Sequence, residues 1–308
     1  MKGSLIGVVF APNGGELRSL SNEPKPMVNV MGKPLLIHVA DNLRSIGALR
    51  VLAAFEGNIN VEGVELSRLN NDYWGTLKSI TKETPRGSTV VFSSTEYYVP
   101  REAYEALLNT HLSMGYDATM LVTAVEDTSG GVMVHVNSEG RVTGLSSGMG
   151  PGYLFLNLMV IERDAFEAEG ELNWGSIKAG VHLWNGWFTG VNSPWSLLDL
   201  TRNLLSSLRE STISTKAKIS PKASIEGLVV IDDDAVLDHN CTLRGPVYVG
   251  KGAYVGTGAL LRNHTSIEEG TVIGANAEVT ESLVGPRATV GRGSFIGASL
   301  IGPRAVVE

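Results

Sequence analysis

The stretch VYVGKGAYVGTGALLRNHTSIEEGTVIGANAEV, residues 247–279, decides the fold of the C-terminal part. Every sixth residue from Val249 is aliphatic: Val249, Val255, Leu261, Ile267, Ile273 and Val279. The frame reaches back through Leu243, Leu237, Ile231, Ile225 and Ile219. It slips by one to Val284, continues through Val290 and Ile296, and slips again to Ile301 and Val307. Glycine follows the aliphatic at Gly250, Gly256, Gly274, Gly285, Gly291, Gly297 and Gly302. Such a fixed period predicts a parallel β-helix, in which each repeat buries one aliphatic and stacks on its neighbours. Glycine is expected at the corners, where positive φ is cheap only without a Cβ.

Working outward, composition divides the chain. Glycine is 36 of 308 residues, about 12% against a usual level of about 7%. Of the 20 Phe, Trp and Tyr residues only Tyr248, Tyr254 and Phe295 lie beyond 215. A narrow prism has no room for large rings, so two domains are expected: an α/β domain over 1–212 and the β-helix over 216–308. A formal charge of −7 argues against a nucleic-acid face. The lone Cys241 excludes an intrachain disulfide framework and a cysteine-built zinc site, and fits a reducing compartment. Leu5–Ala11 ends in Pro12-Asn13-Gly14-Gly15 and reads as a buried strand, not a signal peptide. No apolar run approaches the roughly 20 residues that span a bilayer. The expectation is a cytoplasmic protein with neither membrane nor nucleic acid as partner.

The first domain alternates strand and helix. Leu5–Phe10, Val51–Phe55, Thr89–Phe92, Ala118–Val125 and Tyr153–Ile161 read as strands. Leu35–Ile46, Ala103–Leu112 and Leu197–Leu208 have helical apolar spacing. Val132–Val136 and Arg141–Leu145 flank the turn Asn137-Ser138-Glu139-Gly140 as a hairpin. This order predicts a Rossmann-like, mostly parallel sheet with its ligand crevice at the carboxyl ends of the strands.

Two resemblances follow. The hexads resemble those of left-handed β-helix domains, in which three hexads make one triangular coil; 216–308 then gives about five coils. Residues 10–47, FAPNGGELRSLSNEPKPMVNVMGKPLLIHVADNLRSIG, resemble the opening of the sugar-1-phosphate nucleotidyltransferases, A-G-x-G-T-R-L…P-K-P-L-L…G-K-P-L-I. Pro24-Lys25-Pro26-Met27 and Gly32-Lys33-Pro34-Leu35 carry the match. Together with the hexads it is similar to the two-domain members, including the bifunctional N-acetylglucosamine-1-phosphate uridylyltransferase/acetyltransferases. The resemblance implies attack of a sugar phosphate on the α-phosphate of a nucleoside triphosphate. That chemistry needs amides that cradle phosphate, balancing cations, and carboxylates for Mg²⁺.

Against that pattern several positions are replaced. Pro12 stands at the first loop glycine and offers no N–H, Gly14 and Gly15 are kept, and Glu16 replaces the arginine, with Arg18 the nearby alternative. Lys25 is the retained family lysine, either neutralising phosphate or simply solvated between two prolines. Ser94 occupies the first metal aspartate position, with Glu96 the nearby carboxylate, and Gly190 occupies the second, in Trp187-Phe188-Thr189-Gly190. Leu145-Ser146-Ser147-Gly148 stands where the substrate-binding E-K-P segment would be. Gly75, Thr76 and Asn157 survive from substrate-contacting motifs, or are packing and turn residues. No cofactor is implied unless the site is active, in which case it would need Mg²⁺.

In the tail, Arg292 and Ala298 replace the histidine and aspartate of the acetyltransferase landmark. Arg262 and Glu278 match sugar-contacting positions, Thr280 replaces a lysine, and His264 and His239 remain as base candidates. Asp232-Asp233-Asp234 reads as an acidic corner or a cation site. Three functions are open. The first is a catalytically silent homologue binding a sugar phosphate or sugar nucleotide, as a regulatory or assembly subunit beside an active relative. The second is an active nucleotidyltransferase with rearranged ligands. The third is an acyltransferase or a structural trimer. The resemblance implies a homotrimer formed through the β-helix.

Overall fold

The computed structural model describes residues 3–14, 17, 23–55, 61–68, 73–166, 174 and 176–308; residues 68, 81, 82 and 166 are described by backbone alone. The chain opens with β1 (Leu5–Ala11), the strand pair β2 (Asn29–Val30) and β3 (Lys33–Pro34), and α1 (Leu35–Ser45). β4 (Arg50–Phe55), β5 (Glu65–Arg68), α2 (Tyr73–Glu83), β6 (Thr89–Ser94) and β7 (Tyr97–Tyr98) follow. Next come α3 (Arg101–Met114), β8 (Ala118–Val125), β9 (Val132–Val136), β10 (Val142–Ser147) and β11 (Gly152–Glu162). β12 (Ala179–Leu183), β13 (Thr189–Gly190) and α4 (Pro194–Ser206) lead into short strands that begin at Thr212–Ile213. The chain divides into two compact units: Met1–Asn13 with Leu36–Gly190, and Gly14–Leu35 with Val191–Glu308. No described helix is long and apolar enough to cross a membrane.

The first unit is built on a nine-stranded sheet in the order β10-β9-β11-β6-β1-β4-β5, with β8 on β11 and β12 on β8. β10 and β11 run against the other seven strands, so the sheet is mostly parallel, as expected. The β1 run LIGVVFA is buried at all seven residues, which suits a central strand covered on both faces. Ile6, Val8 and Phe10 face Leu77 and Ile80 of α2. On the other side, a Cβ at Gly7 would lie 3.0 Å from Leu43 of α1, so glycine sets that close approach. β11 changes partner midway: Tyr153 and Leu154 pair with β9, whereas Met159–Glu162 pair with β6. Its ladder with β8 is broken between Phe155 and Met159, and Asn157 there has φ +50°.

The second unit contains three all-parallel sheets. Partners lie 18 residues apart at first, with Ile213 beside Ile231, Ile219 beside Leu237 and Ile225 beside Leu243. Later they lie 17 apart, with Ile267 beside Val284, Ile273 beside Val290 and Val279 beside Ile296. The two slips of the sequence frame are corners shortened by one residue, at Glu281 (φ +48°) and Ala298 (φ +45°). Inside, many of the aliphatics are accompanied two residues earlier by a small residue, as at Ala235, Cys241, Ala253, Ala259, Ala277 and Ala288. Cys241 thus takes an alanine's place, and burial pushes its thiol up to about 11, which keeps it inert.

One expectation is corrected. The glycines that follow the aliphatics do not supply positive φ. A Cβ at Gly274 would lie 2.6 Å from Arg292 N, and one at Gly250 would lie 2.8 Å from Glu269 N. At Gly250, Gly256, Gly274 and Gly285 the next coil's backbone passes over the residue and leaves no room for a Cβ. Left-handed residues come two positions later, at Gly252, Gly258, Gly270 and Gly293, but equally at Asp234, Asn240, Asn276, Arg287 and Arg304.

α4 lies on one prism face, against Thr265–Ile267, Leu283–Val284 and Leu300–Ile301. The same unit holds the β2–β3 hairpin, whose turn puts Met31 (φ +51°) and Gly32 (φ +75°) both in the left-handed region. Glu268, fully buried, accepts hydrogen bonds from Met31 N (2.8 Å), Gly32 N (2.9 Å) and Ser266 Oγ (2.8 Å). Tyr248 donates to Asp232, and its Oη lies 2.0 Å from where a Cβ at Gly32 would be.

Glu268→Ala strands three donors, one of them the buried Ser266 hydroxyl, and should cost about 2 kcal/mol in urea unfolding, with Glu268→Gln losing less. Burial pushes the Glu268 carboxyl up. The unfolded chain therefore gives up this proton first as pH rises. The group's contribution is full below its unfolded pKa and is lost as pH climbs through the folded value. The stability gap between wild type and Glu268→Gln should accordingly narrow from acid to neutral pH, as followed by unfolding at several pH values.

Candidate functional site

The carboxyl ends of β1 and β6 lie side by side, with Phe10 beside Ser94. Thr95 N continues the pairing by donating to Phe10 O at 3.0 Å. Ser94 is fully buried, and its Oγ accepts the backbone N–H of Glu96 at 2.9 Å. Asn157, at the point where β11 changes partner, donates from Nδ2 to Glu96 Oε2 at 3.0 Å. Asparagine tolerates the left-handed backbone that the switch imposes, so its conformation and its contact suit the same residue. β7 pairs antiparallel with β13, which sets Gly190 beside Tyr97 and Thr189 beside Tyr98. Tyr98 stacks on Trp187 at 5.7 Å. Four sequence-predicted positions, 94, 96, 157 and 190, are thereby gathered at one end of the first unit's sheet.

Gly75 and Thr76 lie in the first turn of α2, and Thr76 is fully buried. This helix was missed in the sequence reading, although Tyr73, Leu77 and Ile80 have helical spacing. It brings an aromatic cluster over the strand ends. The Tyr73 ring meets Phe92 at 4.7 Å, Trp74 at 5.0 Å, Phe10 at 5.4 Å and Phe155 at 5.8 Å. Burial, and then the Glu96 charge, hold the Tyr73 and Tyr97 phenols above the usual phenol range. Both therefore stay neutral donors at physiological pH.

The donor set does not fit Mg²⁺. Ser94 offers one hydroxyl that already accepts a hydrogen bond, Gly190 offers no side chain, and Glu96 is a single carboxylate held by an amide. Among the described residues no group of three or more His, Cys, Asp or Glu is disposed to hold a metal.

The remaining predicted residues belong to the second unit. Gly14 is exposed, and a Cβ there would meet nothing within 4 Å, so neither crowding nor backbone requires glycine. Gly15, Glu16 and Arg18 lie outside the described residues. Lys25 sits in a short 3₁₀ turn, Lys25–Met27, and is 5% exposed, so it is buried and not solvated. Arg262 directs Nε (2.8 Å) and Nη2 (2.7 Å) at Glu278 Oε1 on the next coil. His264 Nε2 meets Ser206 Oγ at 2.9 Å, and His239 Nδ1 meets Asp238 Oδ1 at 2.9 Å. In the acidic corner, Asp233 is paired with Lys216 at 2.7 Å and Asp232 accepts from Tyr248, which accounts for two of its three carboxylates as structure.

No protein-family model matches the chain. Over 145 residues it is 27% identical to the bifunctional protein GlmU of Geobacillus thermodenitrificans, covering 44% of this chain and 31% of that protein. The match thus spans about a third of that relative's length. Among solved structures the chain is similar to HddC from Yersinia pseudotuberculosis, with a TM-score of 0.50 and 17% identity over 63% of this chain and 96% of HddC. HddC complexed with GMP-PN superposes with a TM-score of 0.48. At such identity the structural likeness speaks for the fold alone. With parallel coils behind an α/β sheet, the chain resembles the sugar-1-phosphate nucleotidyltransferases that carry a C-terminal β-helix.

Proposed function

We propose that the chain is a sugar-phosphate nucleotidyltransferase homologue without nucleotidyl transfer activity, which binds a sugar nucleotide as a regulatory or assembly subunit beside an active relative. The make-up of the gathered strand ends carries this reading. Ser94 and Gly190 stand where the resemblance calls for metal carboxylates, and the one carboxylate nearby, Glu96, is engaged by Asn157. Attack on an α-phosphate brings anionic oxygens together, and each close pair of like charges costs about 4 kcal/mol at an effective dielectric of 20. A hydroxyl and a missing side chain do not offset that. The kept Asn157, Gly75 and Thr76 support a retained capacity to bind.

Sugar nucleotides should raise the thermal midpoint equally in EDTA and in Mg²⁺, with about 2.7 kcal/mol of added stability at a hundredfold excess over Kd. Nucleoside triphosphate plus a panel of sugar 1-phosphates should release no pyrophosphate above background. Mg²⁺-dependent release that drops on Lys25→Ala would sink this reading in favour of an active enzyme with rearranged ligands.

The assembly part of the proposal is a homotrimer formed through one prism face. The face of Tyr248, Ser266 and Leu283 is covered by the unit's own segments and buried. A second is laced with the ion pairs Arg244–Glu226 (3.3 Å) and Arg262–Glu278 (2.7 Å). The third carries Val236, Tyr254, Val272, Thr289 and Val306 in direct register. Val272 is 40% exposed and Val306 67%, in a mostly apolar column, interrupted by Thr289, that suits the same face of another copy. Sedimentation of the wild type should give a trimer, and Val272→Glu should shift it to monomer without loss of secondary structure; a monomeric wild type removes this part.

A further inference from the structure

His264, which the sequence leaves as a base candidate, has a nucleophile beside it. Its Nε2 lies 2.9 Å from Oγ of Ser206, the last residue of α4. Both residues belong to the second unit, where α4 packs on the strand that follows this corner, Thr265–Ile267. Ser206 is exposed and His264 half-buried, so the hydroxyl is open to a ligand while the imidazole is partly enclosed. The corner itself is unusual. Asn263 (φ +52°) and His264 (φ +55°) are consecutive left-handed residues, neither of them glycine, whereas Glu281 and Ala298 serve alone in the two coils that follow. A left-handed backbone is unfavourable for residues that carry a Cβ, so this corner stores strain, and the residue so held is the one that meets Ser206.

A cation lies at the same corner. Arg202 stands four residues before Ser206, on the same side of α4. Its Nη2 reaches Glu281 Oε2 at 3.3 Å, and Glu281 N donates to Asn263 O at 2.8 Å. Burial, and then the Arg202 charge, hold the His264 imidazole below its ordinary range, against the opposing pull of Glu281. The ring is therefore an unprotonated base at neutral pH, with Nε2 free to accept the Ser206 O–H. A serine hydroxyl within hydrogen-bond reach of a neutral imidazole is the arrangement that activates a nucleophile. Positive charge beside it favours the oxygen that becomes anionic when a carbonyl is attacked.

We propose that Ser206 and His264 form a nucleophile–base pair, with Arg202 as the cation for the oxyanion, which takes the acyl group of a small activated ester and passes it to water. As the Ser206 Oγ–carbon bond forms, the Ser206 proton moves to His264 Nε2. The ester C–O bond then breaks, and His264 returns the proton to the leaving oxygen. Water, deprotonated by His264 in turn, attacks the acyl-serine, releases the free acid and restores the hydroxyl. This site is independent of the sugar-nucleotide reading. It sits at the corner between Arg262 and Ser266, off the prism face proposed for the trimer, so assembly leaves it accessible.

Hydrolysis of p-nitrophenyl acetate, with mass spectrometry of the protein after brief exposure to the ester or to an alkyl fluorophosphonate, tests it. The wild type should release p-nitrophenol in turnover and carry the adduct on Ser206. Its rate should rise as His264 loses its proton in mild acid and be level at neutral pH. Ser206→Ala should abolish the adduct, and His264→Gln should slow acylation about a hundredfold. Arg202→Gln should slow it about tenfold, whereas Ser207→Ala, at the exposed neighbouring hydroxyl, should leave it unchanged. A purely structural pair would instead lower the thermal midpoint on Ser206→Ala with no change in ester turnover. Absence of a Ser206 adduct in the wild type, or equal turnover by wild type and Ser206→Ala, overturns the assignment.

Discussion

The coils of the second unit rest on one constraint: the backbone of each turn must lie directly on the backbone of the next. Gly250 N donates to Ile267 O at 2.7 Å, Gly274 N to Val290 O at 2.8 Å, and Gly291 N to Val307 O at 2.7 Å. Strands so stacked are about 4.8 Å apart, which leaves no room for a side chain aimed at the next coil. At Gly250, Gly256, Gly274 and Gly285 that spacing, more than the torsion angle of the corner, accounts for the glycine, whereas Asp232, Asp238 and Glu268 carry side chains at the equivalent place. The same spacing dictates that residues are lost only at corners. Removing one at Glu281 or Ala298 shortens the connection yet leaves Val284 beneath Ile301 and Val290 beneath Val307, so the interior column is unbroken.

A scaffold this regular can carry irregular segments on its faces, and the Glu268 carboxylate shows how. A fully buried carboxylate is ordinarily destabilising, and here three donors converge on it, two of them backbone N–H groups of a turn that only a left-handed pair can make. The Gly-Lys-Pro part of the N-terminal motif, Gly32-Lys33-Pro34, is therefore under structural demand within its own unit. Gly32 meets Tyr248, Pro34 pairs with Asn29, and Leu35 N donates to Val28 O at 3.1 Å as α1 begins. The stretch that carries the resemblance thus has a structural reason to be kept that is independent of catalysis.

The β-helix was legible because its signal is one-dimensional: a residue's place in the frame states its place in space. The strands around β1 and the hairpin at Asn137–Gly140 were legible for a related reason, since local apolar runs and turn residues decide them. α2 was not, because its motif glycine Gly75 weakens the helical pattern and its aromatic face reads equally as core. The gathering of Glu96 with Asn157 could not be read at all. It depends on where β11 exchanges β9 for β6, a choice of partners 61 residues apart in sequence that no local pattern encodes. Lys25 was ambiguous between two prolines, and only tertiary burial removes the solvated alternative.

The proposed loss of two metal positions would change more than coordination. A site built for a metal and phosphates balances negative oxygens with positive charge, so its carboxylates are acceptable only while the metal is there. Remove those carboxylates and the place becomes nearly neutral, hospitable to a single new anion if amide and hydroxyl donors hold it. Glu96, held by Asn157, is such an anion. Once it is present, restoring a carboxylate at Ser94, a fully buried position two residues away, would put like charges side by side with no cation between them. Under the proposed function the substitutions support one another, and a return to metal-dependent chemistry would require reversing them together.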